Sequence, residues 1–362
     1  MMIMRGNLIN MLNNDNVIAI VLEYLGDLER HSFTSSCRVL NKFRKSKFLS
    51  YFLPVDEYLA IQANHEEMFG EALIHLMKAN YNIEDVSALR KAYKLNLANC
   101  PKIQDISMLG KVHTLELSFC QNIRDVSKLG FVHTIILSYC NNVRDVSALG
   151  NVHTLDLSGC CNIEDVSALG SVNTLNLSCC HKVRDVSKLG NVHTLDLSGC
   201  MNVRNVSNLG KVHSLNLFHC RNIRDVSGLG GNYFLDLSHC QNVDDVSNLG
   251  NVHTLDLTWC VNVENVSMLG NVKILNLSHC KKVENISSLG SVHKLYLRGC
   301  EKIVDVSALG NVHTLDLRNC TKVVDVSALW RVHTLDIRDC SNIQDDSMLK
   351  NSFTVIEDGC YV

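Results

Sequence analysis

A cysteine stands at every twentieth residue from Cys100 to Cys360, and none is skipped. The residues between follow one phrase: Asn151 to Gly170 reads NVHTLDLSGCCNIEDVSALG, and Asn191 to Gly210 reads NVHTLDLSGCMNVRNVSNLG. A fixed period in this range is the mark of a solenoid, in which each repeat buries its apolar face against its neighbours. The 362-residue chain therefore grows coil by coil rather than dividing into ordinary globular domains. Function must lie in what the repeat does not explain.

Within one coil, Val152, Leu155, Leu157, Cys160, Ile163, Val166 and Leu169 are the core positions. The alternation Leu155–Asp156–Leu157 is the period of a strand with its leucines inward. Asp165 to Gly170 is too short for an α-helix and predicts a 3-10 turn, with Asp165 and Ser167 as its caps. Gly170 is expected to take the left-handed conformation that redirects the chain into the next strand. The pattern Val-x-x-Leu-x-Leu-x-x-Cys resembles the leucine-rich repeat of the cysteine-containing type, of the kind seen in protists and large DNA viruses. That resemblance implies an α/β repeat solenoid, a horseshoe or arc. Its parallel β-sheet would line the concave face and its 3-10 turns the convex face, with partners docking on the sheet side.

The first 80 residues stand apart. Met11–Leu28 predicts an amphipathic helix with Val17, Ile20, Val21, Tyr24 and Leu25 on one stripe, stopped by Gly26. A second helical stretch follows to Phe48, with Phe33, Cys37, Leu40 and Phe43 on one face. Residues 1–50 resemble an F-box: Leu12, the run to Tyr24–Leu25, the Asp27–Leu28 turn, and Cys37–Arg38–Leu40–Asn41–Phe43 carry the likeness. Asn13 stands where the family has a proline. The resemblance implies docking of an SCF ubiquitin-ligase adaptor through Leu12, Val17, Ile20, Val21, Tyr24, Leu25, Leu28, Phe33 and Leu40. The plainer alternative is a helical cap that shields the first coil. Residues 51–80 read as a helical linker and N-terminal cap, 81–350 as the solenoid, and 351–362 as an eroded polar cap.

Composition narrows the partners. A net charge of −3 offers no electrostatic case for nucleic acid or an anionic membrane. No apolar run approaches the roughly 20 residues that span a bilayer. With fourteen of the seventeen cysteines at one repeat position, the thiols are expected to form a buried, reduced row in an intracellular, cytoplasmic protein rather than disulfides. Cys161 and Cys179 lie off that register. The histidine row (His113, His133, His153, His193, His213, His253, His293, His313, His333) is read as a strand-start feature, not a metal site. No nucleophile–base pair or phosphate loop stands outside the repeat, so neither an enzyme nor a cofactor is expected.

The outward strand positions form a Thr row, an Asp/Asn row and a Ser row, and the acid row (Glu116, Asp156, Asp196, Asp236, Asp256, Asp316, Asp336) should repel itself. Its breaks are the best candidates for a protein-binding site. Phe218, Tyr233 with Phe234, Trp259, Ile274 and Tyr296 fall in consecutive coils and are expected to form one aromatic patch. Arg298, Arg318 and Arg338 replace the small polar residue in three successive coils, beside Asp316 and Asp336. Aromatics and arginine are the residue types that dominate binding energy at protein interfaces.

Overall fold

The computed structural model describes residues 50–55, 73–77, 82–345, 347, 349 and 354–356. The adaptor-type positions Leu12 to Leu40 and the eroded C-terminal residues Ser352 and Glu357 lie outside them. The chain forms two compact units, Met1–Cys140 and Asn141–Val362. Both are built from the same coil.

In the first unit the strands are β1 Ser50–Pro54, β2 Leu73–Met77, β3 Lys94–Asn96, β4 Thr114–Glu116 and β5 Thr134–Ile136. Neighbours pair in parallel, in sequence order. The sequence suggests a helix across 51–80, yet both described ends of that segment are strands. Each finds ladder partners in the sheet, and this tertiary pairing overrides local propensity.

In the second unit the strands begin at β6 Thr154–Asp156 and recur every twenty residues to β15 Thr334–Asp336, with a closing strand at Thr354–Ile356. Pairing is parallel and in strict twenty-residue register, as in Leu155↔Leu175 and Leu235↔Leu255. Three-residue strands are marginal alone, and each is held by donors and acceptors on the adjacent coils. Thus the Leu157 N–H donates to Asn176 O at 2.8 Å, and the Thr174 N–H to His153 O at 3.0 Å.

The core is the one that the period predicts. Val152, Leu155, Leu157, Cys160, Ile163, Val166 and Leu169 are all buried, as are their counterparts in the other coils. The expected 3-10 turn is present, as at Ser167–Ser171. Its cap is also as predicted: Asp165 Oδ1 accepts the Ser167 N–H at 2.9 Å, and Asp85, Asp105, Asp185 and Asp325 do the same for their own turns. The Ser167 N–H and then its hydroxyl hold the Asp165 carboxyl below its ordinary range. Among the described residues no helix is long and apolar enough to cross a membrane.

The glycine that ends each turn works differently from the sequence expectation. Gly150 has φ −61° and Gly210 φ −66°, ordinary right-handed values. Glycine is needed there because the backbone of the next coil passes directly over it. A Cβ on Gly150 would be driven into the Ala168 carbonyl, and one on Gly170 into that of Lys188. The left-handed residue is instead the one before each cysteine, with φ between +56° and +69° from Asn99 to Asp339.

This assignment has a direct test. Gly150→Ala should lower stability by about 1–3 kcal/mol through overpacking, although its backbone angles suit alanine. Urea midpoints check it, and an unchanged midpoint would return the glycine to a conformational role.

Candidate functional site

Before any residue can be assigned to a ligand, the scaffold's own needs must be set aside. The cysteine ladder is structural. Along the ladder the buried thiol donates to a leucine carbonyl of the preceding coil, as from Cys180 to Leu157 O and from Cys260 to Leu237 O, both at 3.1 Å, while Cys100 at its start turns to Ala98 O. Burial pushes the thiols up, Cys120 to about 11 and Cys260 and Cys300 to about 12. They stay protonated, and the thiolate is the form that reacts or binds metal. All fifteen cysteines of the described region are free, Cys179 being the exposed one. A second ladder, not singled out in the sequence reading, runs beside the first. Asn162 Nδ2 donates to Asn141 O at 2.7 Å, and Asn262 Nδ2 to Gln241 O at 2.8 Å.

The acid row is also put to structural use. Asp156, Asp196 and Asp256 each accept the N–H two residues on at 2.8 Å, which closes the turn at the end of the strand. Asparagine relieves the like-charge contact: Asn216 donates to Asp196 Oδ2 and Asn276 to Asp256 Oδ2, both at 3.1 Å. Asp236 has Asp256 beside it, and burial, opposed by its bonds to Ser238 and reinforced by Asp256, raises its pKa.

The two late arginines solve the same problem. Arg318 Nε lies 2.9 Å from Asp316 Oδ1 and also 3.3 Å from Asp336 Oδ2. Arg338 is bidentate to Asp336 at 3.0 and 2.7 Å. Asp316 and Asp336 are only 6% and 9% exposed as whole residues. Burial opposes the Asp336 charge, but the hydrogen bonds and charges of Arg338 and then Arg318 prevail and hold its carboxyl low. These four residues therefore form a clamp that neutralises two adjacent buried carboxylates. Arg298 differs: its side chain is exposed, and among the described residues it makes no ion pair.

The histidine row sits at the strand start. Where threonine follows, Nδ1 is within 3.1–3.3 Å of its hydroxyl, as in His133–Thr134, His153–Thr154 and His193–Thr194. Rings of adjacent coils stack, His313 on His333 at 4.5 Å and His113 on His133 at 4.5 Å. Burial and the neighbouring imidazole depress His113, and burial, His333 and His293 depress His313.

The aromatic breaks divide between two edges of the sheet. Tyr233 joins the strand-start row, 4.3 Å from His253, with exposed Phe234 next to it. Tyr296 lies on the strand between Asn276 and Asp316. Phe218 and Trp259 lie at the strand end, and there the structure adds three residues that the sequence reading passed over. His219, His239 and His279 share with Trp259 the left-handed position before the cysteine. Their rings form a continuous ladder. Phe218 is 5.7 Å from His219 and 5.3 Å from His239, His239 is 6.0 Å from Trp259, and Trp259 is 4.4 Å from His279. The signal for it was available: these histidines stand out of the register of the main row.

A bulky residue in the left-handed region costs about 1–2 kcal/mol relative to glycine. Three coils avoid that cost with Gly159, Gly199 and Gly299. Gly199 and Gly299 flank the four-residue ladder, and a Cβ at Gly299 would strike the His279 ring 2.5 Å away. The ladder is thus a run of rings bounded by two glycines, at a position that is left-handed in every coil from Asn99 to Asp339 and is glycine in only three of them.

No protein-family model matches the chain, and no curated protein sequence matches it either. Among solved structures it is similar to an internalin, inlF, from Listeria monocytogenes, with a TM-score of 0.56 and 19% identity over 85% of this chain and 96% of that one. It is also similar to the functional domain of InlJ from Listeria monocytogenes, described as including a cysteine ladder, with a TM-score of 0.55 and 18% identity over 80% of this chain and 69% of that one. Identities this low establish the fold alone: this is a leucine-rich-repeat solenoid.

The titrating groups predict how stability depends on pH. His113 and His313 fold with depressed pKa values, so the unfolded chain takes up their protons first. Stability present above about pH 6.5 is then lost as pH falls through it. The capping aspartates are depressed too, so their contribution is lost in a second window below about pH 4. Thermal melts between about pH 8 and 3 should show both steps, and a Tm that is flat down to about pH 5 would contradict the first.

Proposed function

We propose that this protein is a non-catalytic receptor that holds a protein partner on the sheet side of its repeats and delivers it to an SCF-type ubiquitin ligase through residues 12–43. The observation that carries the binding reading is the strand-end ring ladder, a run of part-exposed rings from Phe218 to His279. The side-chain types that could do chemistry are engaged in building coils: thiols bond to carbonyls, and carboxylates cap turns. At the strand end, from Phe218 to Arg298, the outward-facing side chains include aromatic rings and exposed arginines, residue types of an interface rather than of a reaction centre.

The ligase half rests on the sequence motif of the N-terminal stretch. In that reading Leu12, Val17, Ile20, Val21, Tyr24, Leu25, Leu28, Phe33 and Leu40 meet the adaptor. The solenoid contributes proximity instead of catalysis, and an intracellular, cytoplasmic location follows. The competing reading is a stand-alone interaction scaffold whose N-terminal helices only cap the coils.

Full-length protein and its Leu25→Asp variant separate the two. The wild type should capture the purified adaptor, and the variant should lose at least roughly tenfold in affinity with its thermal melt unchanged. A wild type that does not bind the adaptor would sink the ligase reading and leave the scaffold reading.

A further inference from the structure

We propose that the strand-end ladder is the docking site for an extended, acidic-ended peptide segment of the partner, which lies across the coils. This rests on the protein-binding reading above and names its site and its ligand chemistry.

Four observations carry it. The ladder is continuous: Phe218, His219, His239, Trp259 and His279 touch ring to ring over four consecutive coils. It is half-exposed, with Phe218 at 42%. It is bounded, because Gly199 and Gly299 end the run of side chains at this position on either side. And its two ends are positive. Exposed Arg221 follows His219, its N–H bonded to His219 O at 3.0 Å, and the carbonyl of exposed Arg298 accepts the His279 N–H at 2.7 Å. Lys281 is already bound to Glu301 at 3.2 Å, which leaves Arg221 and Arg298 as the end charges.

The spacing sets the ligand's length. From the coil of Arg221 to that of Arg298 there are four steps between adjacent strands, about 19 Å, which an extended peptide spans with about six residues. Its middle must be apolar to lie on Trp259 and Phe218. Its ends must be anionic to meet the guanidinium groups, which recognise carboxylates in a fixed fork geometry. Single-stranded nucleic acid is the less favoured occupant. The rings at the Trp259–His279 step are stacked 4.4 Å apart, leaving no slot for a base. Asp236 and Asp256 line the adjacent strand positions, where a continuous phosphate backbone would meet them.

The test uses the full chain and a fluorescein-labelled octapeptide, Glu-Glu-Leu-Pro-Leu-Val-Glu-Glu, read by anisotropy. The same peptide with lysine for each glutamate is the control. The acidic probe should bind and the lysine probe should not. Trp259→Gly should weaken binding roughly tenfold or more, as should the Arg221→Gln/Arg298→Gln pair, while Arg184→Gln on the opposite side of the coil changes nothing. Far-UV circular dichroism confirms that each variant is folded, and the arginine pair lies outside the core in any case. Binding should also weaken between about 0.05 and 0.3 M salt. Equal binding of both probes, no binding of either, an unaffected arginine pair, or displacement of the probe by oligouridylate would each overturn the proposal. Failure of the probe on a chain that still captures the adaptor would remove this site and leave the receptor reading intact. Loss of adaptor capture with the probe still bound would do the reverse.

Discussion

From β3 onward each coil pairs with neighbours standing twenty residues away, no more and no less. The Cys Sγ–H of one coil reaches a leucine carbonyl 23 residues earlier, and the Asn Nδ2 of the same turn reaches a carbonyl 21 residues earlier. The strands pair position for position. A coil by itself has three strand residues, one 3-10 turn and seven apolar side chains, too little to offset the cost of ordering its backbone. Stability therefore resides in the contacts between coils, and these repeat only because the sequence does. The cysteine is suited to its place because a thiol is small, tolerates burial and still donates one bond to the carbonyl beneath it.

That dependence explains what the sequence could and could not reveal. The seven core positions, the 3-10 turn and the Asp165–Ser167 cap were legible because each follows from side-chain type at a fixed offset. The role of Gly150 was not: a glycine before a strand suggests a left-handed residue, yet here it answers to the backbone of the next coil, which no local reading sees. The true left-handed position was hidden because ten of its thirteen occupants are not glycine. Residues 51–80 misled in another way, since their apolar spacing suits a helix while the adjacent sheet edge recruits β1 and β2 as strands.

The site shows the same division. Of the breaks expected to form one aromatic patch, Phe218 and Trp259 lie together at the strand end, joined through the off-register His239. Linear order could not show that Tyr233, Phe234 and Tyr296 fall on other parts of the sheet. Nor could it show that Arg318 and Arg338 are consumed by Asp316 and Asp336. A pair of buried carboxylates on adjacent strands needs cations on the spot, so these arginines belong to the scaffold, whereas Arg298, beside Tyr296 instead of an aspartate, remains outward. Function in such a chain is what is left after the scaffold's requirements are met.

The most direct test of this dependence on register is a pair of deletions in the regular part of the solenoid. Removing residues 171–190, one whole coil, should leave a chain with native-like circular dichroism and a single cooperative urea transition, because every ladder closes again across the joint. Removing residues 171–180, half a coil, should abolish that transition, because it takes away the strand Thr174–Asn176 and Cys180 and leaves residues 181–190 with no strand to pair in the sheet. Equal tolerance of both deletions, or equal collapse of both, would contradict it.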